Sequence, residues 1–167
     1  MDAAHLHLLL THVPVVATIV GLLLLAAGLV RRSDEIKKAS LAIFVASALL
    51  AIPTYLTGES AEHVVEHLSG VSESLIERHE DAAFQSVMAL ELLGLLAAGA
   101  LVLARYSGRL TATLVSGALV LSIVTGGLMA RTANLGGQIR HSEIRSQATT
   151  VRPGIAALRS QPARHTD

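Results

Sequence analysis

One stretch of the chain, Thr57–Asp81, concentrates the side chains that could do chemistry. It contains seven of the thirteen carboxylates and three of the eight histidines, against a single basic residue, Arg78. If the stretch is helical, imidazoles and carboxylates three or four positions apart share one face, as in the set Glu59, His63, Glu66 and His67. Imidazole together with carboxylate suits transition metals such as zinc, iron, manganese or copper. The stretch is therefore the first candidate for a metal site.

The segment from His63 to His67 also matches HxxEH, the pattern of the inverted zinc proteases. Two histidines four positions apart could ligate one zinc, with Glu66 as general base. The rest of the chain cannot build the soluble α/β scaffold of those enzymes, and so short a pattern arises easily in a stretch rich in His and Glu. Peptidase activity is therefore disfavoured, and whether the chain is an enzyme stays open.

The composition excludes several classes of function. The chain is 51% hydrophobic and 16% charged, with a formal net charge of zero, so it has no basic field to attract a nucleic acid. Aromatic residues make up only 2%, and the small residues that replace them let membrane helices approach closely. The absence of cysteine excludes disulfides, thiolate metal sites and covalent haem attachment.

Four apolar segments reach the roughly 20 residues that a helix needs to cross a bilayer. They predict an all-α integral membrane four-helix bundle in contact with lipid, with a short amphipathic helical loop between helices 2 and 3 on the outer face. Residues 1–145 form this membrane domain, and the tail 146–167 lacks helical periodicity and is predicted to be disordered. The spans are residues 8–30, 39–56, 82–104 and 110–130.

Basic residues set the predicted orientation. The first and third connections contain Arg31, Arg32, Lys37, Lys38, Arg105 and Arg109, which we call the basic end and which the positive-inside rule places in the cytoplasm. We therefore expect a multi-pass protein of the bacterial inner membrane with both termini on the periplasmic side. Four spans also bring every histidine to one side, which we call the histidine rim: His5, His7, His12, His63, His67, His79, His141 and His165.

Two rim histidines are the preferred metal ligands because rigid helices hold them. His12 lies near the membrane edge beside Pro14, and His79 lies at the entrance of the third span. The pair Gly136-Gly137 is expected to end the fourth helix, so that residues 138–145 return over the rim. The remaining candidate ligands are His7, His63, His67, His141, Glu59, Glu66 and Glu143.

Two polar residues lie within the third predicted span, Gln85 and Glu91. A carboxylate at membrane depth is costly and by default indicates a function, so Glu91 is expected to face the bundle interior. The alternative is a protonated Glu91 that hydrogen-bonds to Ser or Thr on a neighbouring helix.

The segment HLLLTHVP, from His7 to Pro14, resembles the HPxxVHFP opening of a family of uncharacterised bacterial four-helix membrane proteins. It departs from that pattern at Leu8, where the family has proline, and at Val13, where it has phenylalanine. His79 and the pair Gly136-Gly137 also fall where the family has a histidine and two glycines. The resemblance covers roughly residues 5–145. It implies a four-helix bundle with a rim of histidines and redox work, because the same domain also occurs fused to c-type cytochrome modules.

Three functions remain open. The first is a membrane protein that binds a transition metal (Fe, Zn or Cu) or haem b at the rim and transfers electrons, with a c-type cytochrome or another membrane redox subunit as partner. Haem b needs two opposed histidines, for which His12 and His79 are the candidates, whereas nearby carboxylates favour a non-haem metal. The second is a structural subunit or anchor of a membrane complex. The third is a metal-ion transport component that relays ions through Glu91 and works as a homo-oligomer.

Overall fold

The computed structural model describes residues 3–58, 61–62 and 73–140, and within these residues it has four long helices. They are α1 (Ala3–Val30), α2 (Asp34–Leu56), α3 (Glu73–Ser107) and α4 (Ala112–Arg140). Each is long and apolar enough to cross a membrane, which confirms the predicted all-α, four-span architecture. Residues 63–72 and 141–167 lie outside the described part, so the amphipathic helical loop and the disordered tail stay predictions.

Three helices extend further at the rim than their apolar segments indicated, and α3 and α4 extend the most. α3 begins at Glu73 and has 35 residues, a length of about 52 Å against a hydrocarbon thickness of about 30 Å. α4 runs through Gly136-Gly137 to Arg140, so the predicted helix break at the two glycines is wrong. A glycine costs a helix interior only about 1 kcal/mol, which tertiary packing around the buried Leu135 can offset.

The helices pack in sequence order around one apolar core. α2 packs against α1 and α3, α4 packs against α3, and a smaller contact between α4 and α1 closes the bundle. α1 and α3 are therefore diagonal to each other. Phe44, Leu25, Leu90 and Leu93 are fully buried in the core. Large apolar side chains on the outer faces of all four helices stay exposed, as expected for helices that contact lipid.

Buried hydroxyls join α1 and α2 at steps of seven residues. Ser40 donates to the carbonyl oxygen of Gly21 at 2.7 Å, and Ser47 donates to that of Pro14 at 3.0 Å. Thr18 also donates to Pro14 at 2.7 Å. A contact seven residues later on α2 therefore involves a residue seven positions earlier on α1, as expected for antiparallel helices in a fixed register. This register determines which residue of α1 meets the end of α2.

Candidate functional site

His7 is the next residue of α1 in this register, and its imidazole contacts the end of α2. Its Nδ1 lies 3.0 Å from the carbonyl oxygen of Thr54 and 3.2 Å from Oγ1 of Thr57. A carbonyl oxygen can only accept, so Nδ1 carries the proton and donates it to Thr54. Because α2 ends at Leu56, this carbonyl is among the last four of the helix, which lack a backbone donor further along it, and it also accepts from Oγ1 of Thr57 at 2.9 Å. The neutral imidazole thus caps α2 and keeps Nε2 as a lone-pair nitrogen.

His79 makes the equivalent contact between the other two helices. Its ring is partly buried, and its Nδ1 lies 3.1 Å from the carbonyl oxygen of Thr132 on α4. Ser86, seven residues further along α3, lies 2.8 Å from Oγ1 of the same threonine. Gly136 faces the ring, since a Cβ atom at this position would lie 3.1 Å from Cε1 of His79. The glycine that was expected to end α4 instead gives the imidazole room to reach the helix backbone.

His7 and His79 enter the rim end of the bundle from diagonal helices. His7 comes from α1 and His79 from the diagonal helix α3, and they are close enough for a charge on His7 to act on His79. In each ring Nδ1 is held by a backbone carbonyl, so the orientation is fixed and Nε2 is the nitrogen left to bind a ligand. Metal-ligating histidines characteristically donate their other N–H in this way. Each ring can therefore offer one oriented imidazole nitrogen to a ligand at the rim.

The preferred residue His12 lies on a different face. It is exposed, and its Nδ1 donates to the carbonyl oxygen of Leu8 in its own helix at 2.8 Å. His5 is exposed as well and shares this outer face, seven residues before His12. Of these α1 histidines, His7 contacts a neighbouring helix, whereas His12 contacts its own, and the role of His12 as a ligand stays a prediction.

Four carboxylates border a cavity of about 280 Å³ at the start of α3. Its lining is formed by Glu62, Glu73, Glu77 and Glu80 together with Ile76. Glu62 and Glu80 lie close enough for a hydrogen bond if one of the two carboxyl groups is protonated, and the charge of Glu80 acts on His79. The surroundings of the histidine pair are therefore acidic on the α3 side.

Not every predicted ligand can be placed. Within residues 3–58, 61–62 and 73–140, no three His, Asp or Glu side chains converge as a metal ion bound by protein alone requires. Their role in a metal site stays a prediction for the candidates that lie outside these residues, which are Glu59, His63, Glu66, His67, His141 and Glu143.

The two polar residues within α3 lie away from the histidine pair. Glu91 is partly buried, and its Oε1 atom is buried without a hydrogen-bond partner in the described part of the chain. Gly94 lies on nearly the same face, where a Cβ atom would lie 2.5 Å from that of Ala48, so Glu91 borders the α2–α3 interface. Gln85 is exposed and accepts a hydrogen bond from Arg131 at 3.0 Å. A proton-linked role for Glu91 stays a prediction.

Comparison with known proteins identifies the family to which the chain belongs. Neither the curated proteins nor the solved structures yield a match to the chain. One family model matches residues 3–143, which contain all four helices, His7, His79 and the glycine that contacts His79. The chain therefore belongs to the predicted membrane protein family DUF2231.

Proposed function

We propose that His7 and His79 would hold haem b, and that the chain is a membrane electron-transfer protein. The observation that carries the proposal is the paired geometry: on diagonal helices, each Nδ1 donates to a backbone carbonyl, at 3.0 and 3.1 Å, and each Nε2 is left to bind. This fixes both the tautomer and the ring direction before any ligand arrives. Bound haem iron would supply a one-electron carrier.

The number of protein ligands favours haem over a bare metal ion. Haem iron takes four nitrogens from its porphyrin, so two imidazoles complete its coordination, whereas a tetrahedral zinc needs three or four protein ligands. A non-haem metal would need further ligands from the loop, such as His63, His67 or Glu66.

A structural role is the competing function, and one observation favours it. His7 continues the register of Ser40–Gly21 and Ser47–Pro14 contacts, so the imidazole could serve only to hold α1 against the end of α2. The two roles make different demands on the side chain. Helix pairing needs a donor for the Thr54 carbonyl, whereas haem ligation needs an Nε2 lone pair as well.

The test is an optical spectrum of the full chain, produced with haem supply and purified in detergent. We expect a Soret band and one haem per chain, with the band lost in His7→Gln and His79→Gln because glutamine retains an N–H donor but cannot replace imidazole as axial ligand. His12→Gln is the matched control and should keep the band. Helix content and gel filtration verify folding. A Soret band unchanged in both pair variants would overturn the proposal, and zinc or copper in elemental analysis of a haem-free protein would favour the non-haem centre.

The orientation belongs to the same proposal. We place the rim on the periplasmic side of a bacterial cytoplasmic membrane, where a c-type cytochrome or another redox subunit could exchange electrons with the histidine pair. The six basic residues of the first and third connections support this orientation. Single cysteines introduced at Ser33 and at Ser72 test it in intact cells. Labelling of Ser33→Cys from outside, with Ser72→Cys protected, would reverse the orientation.

A further inference from the structure

The end of the bundle opposite the rim has a strong excess of positive charge. The turns between α1 and α2 and between α3 and α4 lie side by side at this end. Together with the first turns of α2 they contain the six cations of the basic end, against two carboxylates, Asp34 and Glu35. The local net charge is therefore +4, although the whole chain is neutral.

Ion pairs neutralise only the two lysines. Lys37 contacts Asp34 at 2.8 Å, and Lys38 contacts Glu35 at 2.9 Å. The four arginines are exposed, and no carboxylate of the described residues pairs with them: Arg31, Arg32, Arg105 and Arg109. The excess charge is thus located on guanidinium groups that are free to take an outside partner.

One of these arginines occupies a backbone position that disfavours it. Arg32 follows the last turn of α1 with φ of 52°, in the left-handed region that glycine adopts most easily. The turn is a Schellman motif, in which the N–H of Ser33 donates to Gly28 at 2.9 Å and that of Arg32 donates to Leu29 at 3.2 Å. Glycine would serve this turn at lower conformational cost, so the side chain that Arg32 presents is not needed for the turn itself.

We propose that the four unpaired arginines of the basic end bind the headgroups of anionic phospholipids. Both turns follow the last apolar residues of a span, which places their arginines at the depth of the headgroups. Guanidinium groups bind phosphate in a bidentate manner and are therefore better suited to a lipid phosphodiester than the paired lysines are. A lipid in contact with both turns would also join α1 and α2 to α3 and α4. The partner is an anionic lipid surface, and its binding does not depend on any ligand at the rim.

The experiment measures the binding of fluorescent phosphatidylglycerol and phosphatidylcholine to the full chain, purified in a neutral detergent. Because the protein is already folded, any effect of the arginines on membrane insertion is excluded. We expect phosphatidylglycerol to bind more tightly, and Arg31→Gln with Arg32→Gln to weaken it about 25-fold, at about fivefold per arginine. If that double variant fails to fold, Arg105→Gln with Arg109→Gln tests the same surface from the other turn.

Two further variants separate local contact from other effects. Asp34→Asn with Lys37→Gln removes an ion pair at the same end without changing the net charge, and should leave the affinity within about twofold. Arg32→Gly should weaken phosphatidylglycerol binding about fivefold while making the turn more favourable. Equal affinity for the two lipids in the unmodified chain would overturn the proposal, as would a loss in the ion-pair variant as large as in the arginine variant.

Discussion

The inner and outer faces of α1 each present a histidine, and the decisive difference between the two is the carbonyl that each one contacts. Both His7 and His12 donate from Nδ1 to a backbone carbonyl, at 3.0 and 2.8 Å. The carbonyl that His12 contacts belongs to its own helix, whereas the one that His7 contacts belongs to α2. Five residues turn a helix by about 140°, which directs one ring into the bundle and the other towards lipid. Whether a histidine can take part in a site between helices thus depends on whether the carbonyl that accepts from its Nδ1 belongs to a neighbouring helix or to its own.

The inner face owes its close packing to small residues. His7, Pro14, Gly21 and Gly28 follow one another at intervals of seven along α1. Gly21 lies against the ring of the core residue Phe44, and a Cβ atom at Gly28 would lie 3.0 Å from a backbone nitrogen of α2. On the outer face, the position seven residues after His12 is the large exposed side chain of Ile19. Changes on the inner face should therefore cost stability, and matched changes on outward positions should not.

The largest effect is expected from Gly21→Ala. Its Cβ would lie 2.5 Å from Cε1 and 2.9 Å from Cδ1 of Phe44, a fully buried ring that cannot move without disturbing the core. Overpacking of this kind typically lowers the free energy of unfolding by about 1–3 kcal/mol. The matched control is Gly99→Ala, where a Cβ atom meets nothing within 4 Å, and which should be neutral or stabilising by up to about 1 kcal/mol. Reversible unfolding in mixed detergent micelles measures both, and equal stability of the two variants would contradict the close packing of α1 on α2.

A smaller loss is expected from Ser47→Ala. The Ser47 hydroxyl donates to the carbonyl of Pro14 at 3.0 Å and lies 3.1 Å from Oγ1 of Thr18, in a fully buried position. Removing it should lower the free energy of unfolding by about 1 kcal/mol, since a net hydrogen bond contributes about that much. Thr11→Ala is the control, because Thr11 donates only to Leu8 of its own helix at 3.0 Å and should change stability by less than about 0.5 kcal/mol. A larger effect at Thr11 would show that this register does not hold the two helices together.

The fold could be predicted from the sequence because apolar length alone identifies membrane spans, and all four spans are helices in the structure. The ends of the helices could not be predicted in this way. An apolar segment ends where the helix leaves the lipid, whereas the helical backbone can continue beyond that point. Gly136 and Gly137 were predicted to end α4 because glycine disfavours a helix, although Gly136 lies inside α4 and contacts His79.

The contacts of the rim histidines were predicted only in part, and their role as ligands stays a prediction. His79 was singled out because it begins a span, but His12 was preferred to His7 because it lies nearer the apolar segment. A signal for His7 was present: it shares the seven-residue interval of Pro14, Gly21 and Gly28, and small or proline residues at one face indicate a close helix contact. The carbonyl partners could not be found, because every residue has a carbonyl and only the register of neighbouring helices selects Thr54 and Thr132.

The smallest change in stability, and the most specific one, is expected from Gly136→Ala. The new Cβ would lie 3.1 Å from Cε1 and 3.4 Å from Nδ1 of His79, so the ring must shift by a few tenths of an ångström. The better helix propensity of alanine, worth up to about 1 kcal/mol, should offset most of that strain. The shift lengthens the 3.1 Å bond from Nδ1 to Thr132, which sets the direction of Nε2. Haem affinity should therefore fall by about tenfold, as when other groups that orient a ligand are disturbed.

Gly137→Ala is the matched control, because a Cβ atom there meets nothing within 4 Å. It should raise the stability of α4 by up to about 1 kcal/mol and leave haem affinity unchanged. The chemical shift of the Cε1–H group of His79, measured by NMR in the haem-free protein, gives a second readout that does not depend on the cofactor. It should move in Gly136→Ala and stay in place in Gly137→Ala. If the chemical shift stays in place in both variants, Gly136 does not position the ring of His79. The contact between His79 and α4 would then orient the imidazole no better than the contact of His12 with its own helix does.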